Sequence, residues 1–323
     1  MTLKATSHQN LTEIASQHWD LLEARPPATL MMSRDWVTTA FETVDADSEP
    51  FLVAARDGAQ LVGLLPLARR QGERAPVLEF AGAPHHDLTD LLALPGREAE
   101  AAEAVLGFLK EVDDAEIDLD DIDPTGVLAS SDSDGIVDWR ASSSTSVLDL
   151  REAWECRVSK RRRKRLNKDM RRLRESHRVE IEQVKGRAVV AALPGFVARR
   201  RLHLEARGRP LDQPPVPLLE GVVSRLAPTG RCALVELRVD GVTAAADLLL
   251  LDRPVAMSWV CLLEADWRQY SCGNLLLRET ALMLRAEGYE LLDLGRGDEP
   301  YKFEMGAGGG TLLRATRLRP ERR

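Results

Sequence analysis

The segment Asp293-Leu-Gly-Arg-Gly-Asp-Glu-Pro-Tyr-Lys-Phe-Glu-Met-Gly crowds ionisable and aromatic side chains directly after an apolar run. In open α/β sheets ligands gather at the carboxyl ends of strands, where such a run leaves these groups. Asp298 or Glu299 can act as a base or orient an amine, and Tyr301 can donate a proton. Lys302, with Arg296 close by, can bind a phosphate or carboxylate on a substrate. The plainer reading is a solvated turn in which Tyr301 and Phe303 are packing anchors. A second segment, Tyr270-Ser-Cys-Gly-Asn274, joins a predicted strand to an apolar helix. Gly273 there lets backbone N–H groups at the helix start converge on a phosphate, aided by the helix dipole. Its plain alternative is an ordinary N-cap made by Ser271 or Asn274.

Three weaker features accompany these. His85-His86-Asp87, with Asp90 three residues on, invites a metal. Adjacent histidines on a strand point to opposite faces, so a substrate-lining or structural role for Asp87 is favoured and no metal is expected. His203 flanks the apolar face of a predicted helix, where a single histidine is more often structural than catalytic. The loudest feature runs from Arg157 to Arg178, with twelve Lys/Arg against Asp169 and Glu175. Its apolar positions, Leu166, Met170 and Leu173, form one narrow helical seam, so most of the basic residues must face solvent or an acidic surface. Such a face can grip a polyanion. No interleaved aromatics mark a base-stacking surface.

These segments need elements to position them. Phe51-Leu-Val-Ala-Ala, Asp57-Gly58 and Gln60-Leu-Val-Gly-Leu-Leu-Pro-Leu read as a β-hairpin, and so do Ala233 to Val239, Asp240-Gly241 and Val242 to Leu250. Helical segments precede each: Leu11–Glu23 and Ser33–Val44, then Val189–Ala206 and Pro217–Leu226. That rhythm suggests a duplicated α/β unit. Further strands are predicted at 77–81, 88–94, 116–120, 178–184, 255–263, 289–294 and 311–318. Helices are predicted at 97–112, 150–175 and 274–287, and a loop region at 123–144.

The chain has 323 residues with 44% apolar and 29% charged, which is globular composition and room for two domains. The formal charge of −7 excludes a general polyanion binder, although the Arg157–Arg178 stretch alone carries +10 (12 − 2). The four cysteines lack zinc or disulfide spacing. The first residues lack a signal peptide's apolar core, and Asp247, Asp252, Arg253 and Pro254 interrupt the longest apolar stretch. A cytoplasmic protein without a membrane span is expected.

Taken in order, several of these stations resemble the CelD/BcsL-type family of GNAT-like acetyltransferases, linked to cellulose or exopolysaccharide biosynthesis. They are Trp36, Leu61-Val-Gly-Leu-Leu-Pro-Leu, Glu79-Phe-Ala-Gly with Asp87 and Asp90-Leu-Leu, and Trp154 opening the basic helix. Leu202-His203 with Arg207-Gly208, Cys272-Gly-Asn-Leu-Leu and Gly295-Arg-Gly-Asp-Glu-Pro-Tyr-Lys complete them, so the likeness spans roughly residues 30–310. The resemblance implies a GNAT fold, as two tandem GNAT-like halves with mixed central sheets, related to the Fem-type transferases. The halves would be 1–148 and 149–323, the second including the basic helix. It also implies transfer of an acyl group from acetyl-CoA or another acyl-CoA to an amine or hydroxyl of a small-molecule or saccharide acceptor. Tyr270, Ser271, Cys272, Gly273 and Asn274 match the position that meets the coenzyme pyrophosphate. Asp298 or Glu299 would be the base and Tyr301 the acid, with Arg296, Lys302, Asp87 and His203 against substrate. One departure stands out: the family's phosphate loop has Arg or Gln followed by two glycines, and this chain offers Gln269 and Gly273 alone. Fem-type relatives also lack that loop and use aminoacyl-tRNA, which suits a tRNA contact through Lys160–Arg174. A third reading is a non-catalytic module binding an anionic glycan or partner protein.

Overall fold

A computed structural model describes residues 3–23, 30–132, 135–205 and 214–317. The chain forms two compact units, one from the residues up to Ser143 together with those from Thr311 onward, the other from Ser144–Gly310.

In the first unit, strand β1 (Lys4–His8) is followed by helices α1 (Ser16–Glu23) and α2 (Arg34–Glu42). Then come β2 (Glu49–Asp57), β3 (Gln60–Arg70), β4 (Val77–Phe80), the short β5 (Leu92–Ala93), α3 (Glu98–Glu111), β6 (Glu116–Ile122) and α4 (Val127–Ser131). β1 to β4 pair antiparallel in sequence order and β4 pairs parallel with β6. Residues of β13 (Gly308–Arg317) close the sheet against β6. The second unit repeats the plan. β8 (Val179–Lys185), α7 (Arg187–Glu205) and α8 (Val216–Leu226) lead into β9 (Cys232–Val239), β10 (Val242–Asp252) and β11 (Val255–Leu263). Helix α9 (Cys272–Ala286) crosses to β12 (Leu291–Arg296), which pairs parallel with β11. Residues of β7 (Asp138–Asp149) pair antiparallel with β12.

The predicted hairpins form because their turns suit the backbone. Asp240 and Gly241 both hold positive φ, +52° and +82°, the geometry of a tight primed turn that glycine adopts without cost. β2, β3 and β10 are buried along most of their length, since neighbouring strands pair with both edges and helices pack on the sheet. The seam Leu166, Met170 and Leu173 packs into the core of the second unit, each side chain contributing about 1.5–3 kcal/mol.

Three expectations are corrected. The basic helix is not continuous from residue 150: a short α5 (Trp154–Arg157) ends at an extended Val158, and α6 (Lys160–Ser176) starts anew. Ser159 causes the restart, because its side chain accepts from the Arg162 N–H and caps the helix. Residues 123–144 are not a loop, as they hold α4 and the start of β7. That Ser-rich strand lacks apolar alternation, and hydroxyl bonds from Ser142 and Ser143 to Asp120 and Asp121 fasten it. The strand expected over 88–94 shrinks to Leu92–Ala93. Ala206, Arg207, Gly208 and Leu318 lie outside the described residues.

Candidate active site

β11 and β12 pair only through Val255–Leu291, Ala256–Leu292 and Met257–Asp293. Beyond that point β11 runs on to Leu263 and β12 to Arg296 without further pairing, so the two strands open. A pocket of about 620 Å³ occupies the region, with Leu262, Leu263 and Leu294 on its apolar walls. In the first unit the equivalent edge is closed: Thr89 bridges Ile122, and its N–H and hydroxyl bond to the Asp121 carbonyl beside β6.

Helix α9 opens onto this pocket through Ser271, Cys272, Gly273 and Asn274. Ser271 stands in the left-handed region at φ +56°, a strained conformation for a residue with a side chain. Its hydroxyl donates to Asp169 of α6 (3.2 Å) instead of capping, and no side chain caps the helix. The ordinary N-cap reading of this segment is therefore set aside: the Asn274 and Leu275 N–H groups bond to the Ser271 carbonyl (2.9 and 3.1 Å), and no side chain caps the N–H groups of Cys272 and Gly273 ahead of them. A Cβ built on Gly273 meets only Leu263 methyls, at 3.5 and 3.6 Å.

The floor carries a carboxylate that stands in the sequence only as an interruption of an apolar stretch. Asp247 of β10 sits opposite Cys261 of β11, and the Ser258 hydroxyl donates to both its oxygens at 2.9 and 2.8 Å. The Cys261 thiol adds a contact of 3.4 Å. Ser258 and Cys261 are three residues apart and in a regular strand would face opposite ways. Leu248 pairs with Val260 but Leu249 with Ser258, so Trp259 is an extra, bulged residue that returns both side chains to one face. Burial pushes the Asp247 carboxyl up to about 6, partly offset by the Ser258 and Cys261 bonds. No cationic side chain pairs with it among the described residues. Cys261 is open to the pocket yet enclosed by protein, which pushes its thiol far up and leaves it protonated, so it is no thiolate nucleophile. Tyr301 also lines the pocket, its phenol raised by burial and held protonated, and His203 and Arg200 of α7 line another part. The only sequence sign of Asp247 is an acid inside the apolar run Ala244–Leu251.

Other expected site residues lie elsewhere. Asp298, Glu299, Arg296, Lys302 and Tyr270 are absent from the lining. Lys302 is not free to bind an acceptor: it is 2% exposed, and its ammonium donates to the carbonyls of Gly295 (3.3 Å), Arg296 (2.7 Å) and Gly297 (3.2 Å). Its ion pair with Glu299 (3.0 Å) engages that carboxylate too. Lys302 thus braces the turn after β12, and Lys302→Met is expected to cost about 3 kcal/mol, read from the urea midpoint. Tyr270 meets His177 edge-to-face and Trp267 at a tilt, beneath Arg172 of α6. Asp87 belongs to the first unit, where its N–H contacts the Met31 sulfur. The neighbouring His86 is buried against Phe80 and near Asp121, a packing role. Among the described residues no group of three or more His, Cys, Asp or Glu is placed to hold a metal, and no helix is long and apolar enough to cross a membrane. On α6, Arg162 pairs with Glu304 and Arg171 with Glu175, while Lys160, Arg161, Lys164, Lys168 and Arg174 are exposed without ion pairs among the described residues.

The mixed sheet with α9 between parallel, opening strands is a GNAT-type α/β fold, and residues 160–303 match the family model described as an acetyltransferase (GNAT) domain. No curated protein matches the chain. Among solved structures the chain is similar to FemX, with 11% identity, 98% of each chain covered and a TM-score of 0.69. It is similar also to the C-terminal (DUF2156) domain of a protein assigned as lysylphosphatidylglycerol synthetase from Agrobacterium fabrum (15% identity, 95% and 92% covered, TM-score 0.64). L-PGS from Bacillus licheniformis aligns at 11% identity over 84% and 85%, with a TM-score of 0.56. At these identities the likeness is one of fold.

Proposed function

We propose that the second unit transfers an acyl group from an acyl-CoA thioester to an amine or hydroxyl of a small acceptor, with no covalent enzyme intermediate. The observation that carries this reading is the uncapped start of α9 opening into the gap where β11 and β12 part. The first-turn N–H groups suit a pyrophosphate, and the apolar strand walls suit a pantetheine arm and acyl chain. Direct attack joins acceptor N or O to the thioester carbon while the C–S bond breaks, and alignment of the two substrates supplies much of the rate. Tyr301, protonated and beside the pocket, is the donor to the departing thiolate. Tyr301→Phe is expected to lower turnover about 10²–10⁴-fold; a rate equal to wild type removes Tyr301 from that role. The CelD/BcsL resemblance makes saccharides the first acceptors to screen.

Calorimetric titration with acetyl-CoA, with desulfo-CoA as the thiol-free comparison, tests the reading. Micromolar binding of both supports it, and no binding of any acyl-CoA overturns it. A second reading, aminoacyl transfer from tRNA, is favoured by the unpaired cations on α6. It requires binding that falls steeply with salt and is lost when Lys160, Arg161 and Lys164 are reversed to glutamate.

A further inference from the structure

We infer that Asp247, positioned by Ser258 and Cys261, is the group that takes the proton from the acceptor's attacking nitrogen or oxygen. The assignment rests on the acyl-transfer reading and adds the base that Asp298 and Glu299, outside the pocket, leave unfilled.

Asp247 is 4% exposed, lies on the pocket floor, and has only neutral hydrogen-bond donors around its oxygens. A buried carboxylate without a cation is costly to keep, and one that faces a cavity is completed by a proton or a cationic ligand. The β11 bulge is what aims Ser258 and Cys261 at it, so the arrangement is specified by backbone as well as side chains. Ser258 and Cys261 from β11 bond to it, and Arg200 and His203 from α7 and Tyr301 from the segment after β12 line other parts of the same pocket. Lys302 and Glu299 act on that cluster from outside the lining. β9 presents the apolar Val235 opposite.

In the step, the nucleophile's N–H or O–H proton passes to the Asp247 carboxylate as the new bond to the acyl carbon forms. The C–S bond breaks, the thiolate takes a proton from Tyr301, and Asp247 and Tyr301 return to their starting states by exchange with water. A carboxyl pushed up to about 6 is ionised at neutral pH and a better proton acceptor than an ordinary aspartate.

The test follows CoA release from acetyl-CoA with water and with n-butylamine as acceptor probes, across pH 5–9 (a range of about four units around neutrality). It is paired with calorimetric titration of n-butylammonium into wild type and Asp247→Asn. Wild type is expected to gain activity through a step near pH 6, as the carboxyl ionises. Asp247→Asn is expected to lower the rate about 10²–10⁴-fold and abolish the step. Ser258→Ala should move the midpoint upward, because the lost hydroxyl favours the ionised form. That movement separates a positioning role from a structural one. n-Butylammonium should bind wild type at least about tenfold more tightly than Asp247→Asn, which lacks the carboxylate that pairs with it. An Asp247→Asn enzyme with the wild-type rate or midpoint overturns the assignment. So does a wild type that binds acetyl-CoA yet shows neither turnover nor n-butylammonium binding. A wild type that binds no acyl-CoA at all instead overturns the acyl-transfer reading, and this assignment with it.

Discussion

Gly273→Trp is expected to weaken acetyl-CoA binding by about 100-fold or more, roughly 2.7 kcal/mol, while Gly273→Ala leaves it within about threefold. Gly273 lies in the first turn of α9 and lines the pocket beside N–H groups that no side chain caps. A methyl there meets only Leu263 carbons at ordinary contact distance, 3.5 and 3.6 Å. Alanine is also the better helix former, by about 1 kcal/mol, so Gly273→Ala should fold at least as well as wild type. An indole has no such room and projects into the space a pyrophosphate would take. Calorimetry on both variants decides the matter. If Gly273→Trp binds like wild type, the coenzyme phosphates do not sit at this helix start. If Gly273→Ala already abolishes binding, the amides there are approached even more closely than the Leu263 contact suggests.

The second large effect is on stability. Asp247→Asn should melt several degrees higher than wild type at pH 8, with the gap closing as the pH falls from 6 toward 4. Folding moves the Asp247 carboxyl from 3.8 up to about 6, because burial penalises its charge. That is about two units, and at about 1.4 kcal/mol per unit the ionised group costs the folded state about 3 kcal/mol. The sign follows from the raised value: the penalty is present in full above about pH 6, where both states are ionised. It fades as the folded state takes up its proton, and is gone below the unfolded value of 3.8. An asparagine of the same shape keeps a Ser258 hydrogen bond and carries no charge at any pH. For a unit of this size about 3 kcal/mol corresponds to a shift of roughly 6–12 °C. Thermal melts of both proteins at pH 8 and pH 4.5 check it. Equal melting at both pH values means the carboxylate is hydrated, and the pocket floor is then open to water. A group that costs stability and is retained fits a site where function outweighs packing.

The local features of this chain are legible from its residues alone. The turns at Asp57-Gly58 and Asp240-Gly241, and the α6 seam of Leu166, Met170 and Leu173, follow from side-chain period and turn chemistry within a few neighbours. Ser271–Asn274 could be placed at a helix start for the same reason, and the structure puts that start on a pocket. Tyr301 and His203 reach the pocket as well, but Lys302, which looked like a substrate cation, is spent on the Gly295–Gly297 carbonyls. Its chemistry was visible and its partners were not, because those partners are backbone atoms presented by the turn after β12. Asp247 is the converse case. In the sequence it is one acid in an apolar run; it becomes a candidate base because a single extra residue, Trp259, reverses the alternation of β11 and turns Ser258 and Cys261 toward it. Residue order determined which elements form, since helix and strand periods are properties of adjacent side chains. Only the tertiary structure decided which polar groups share a cavity, because pairing register, bulges and burial depend on strands brought together from distant parts of the chain.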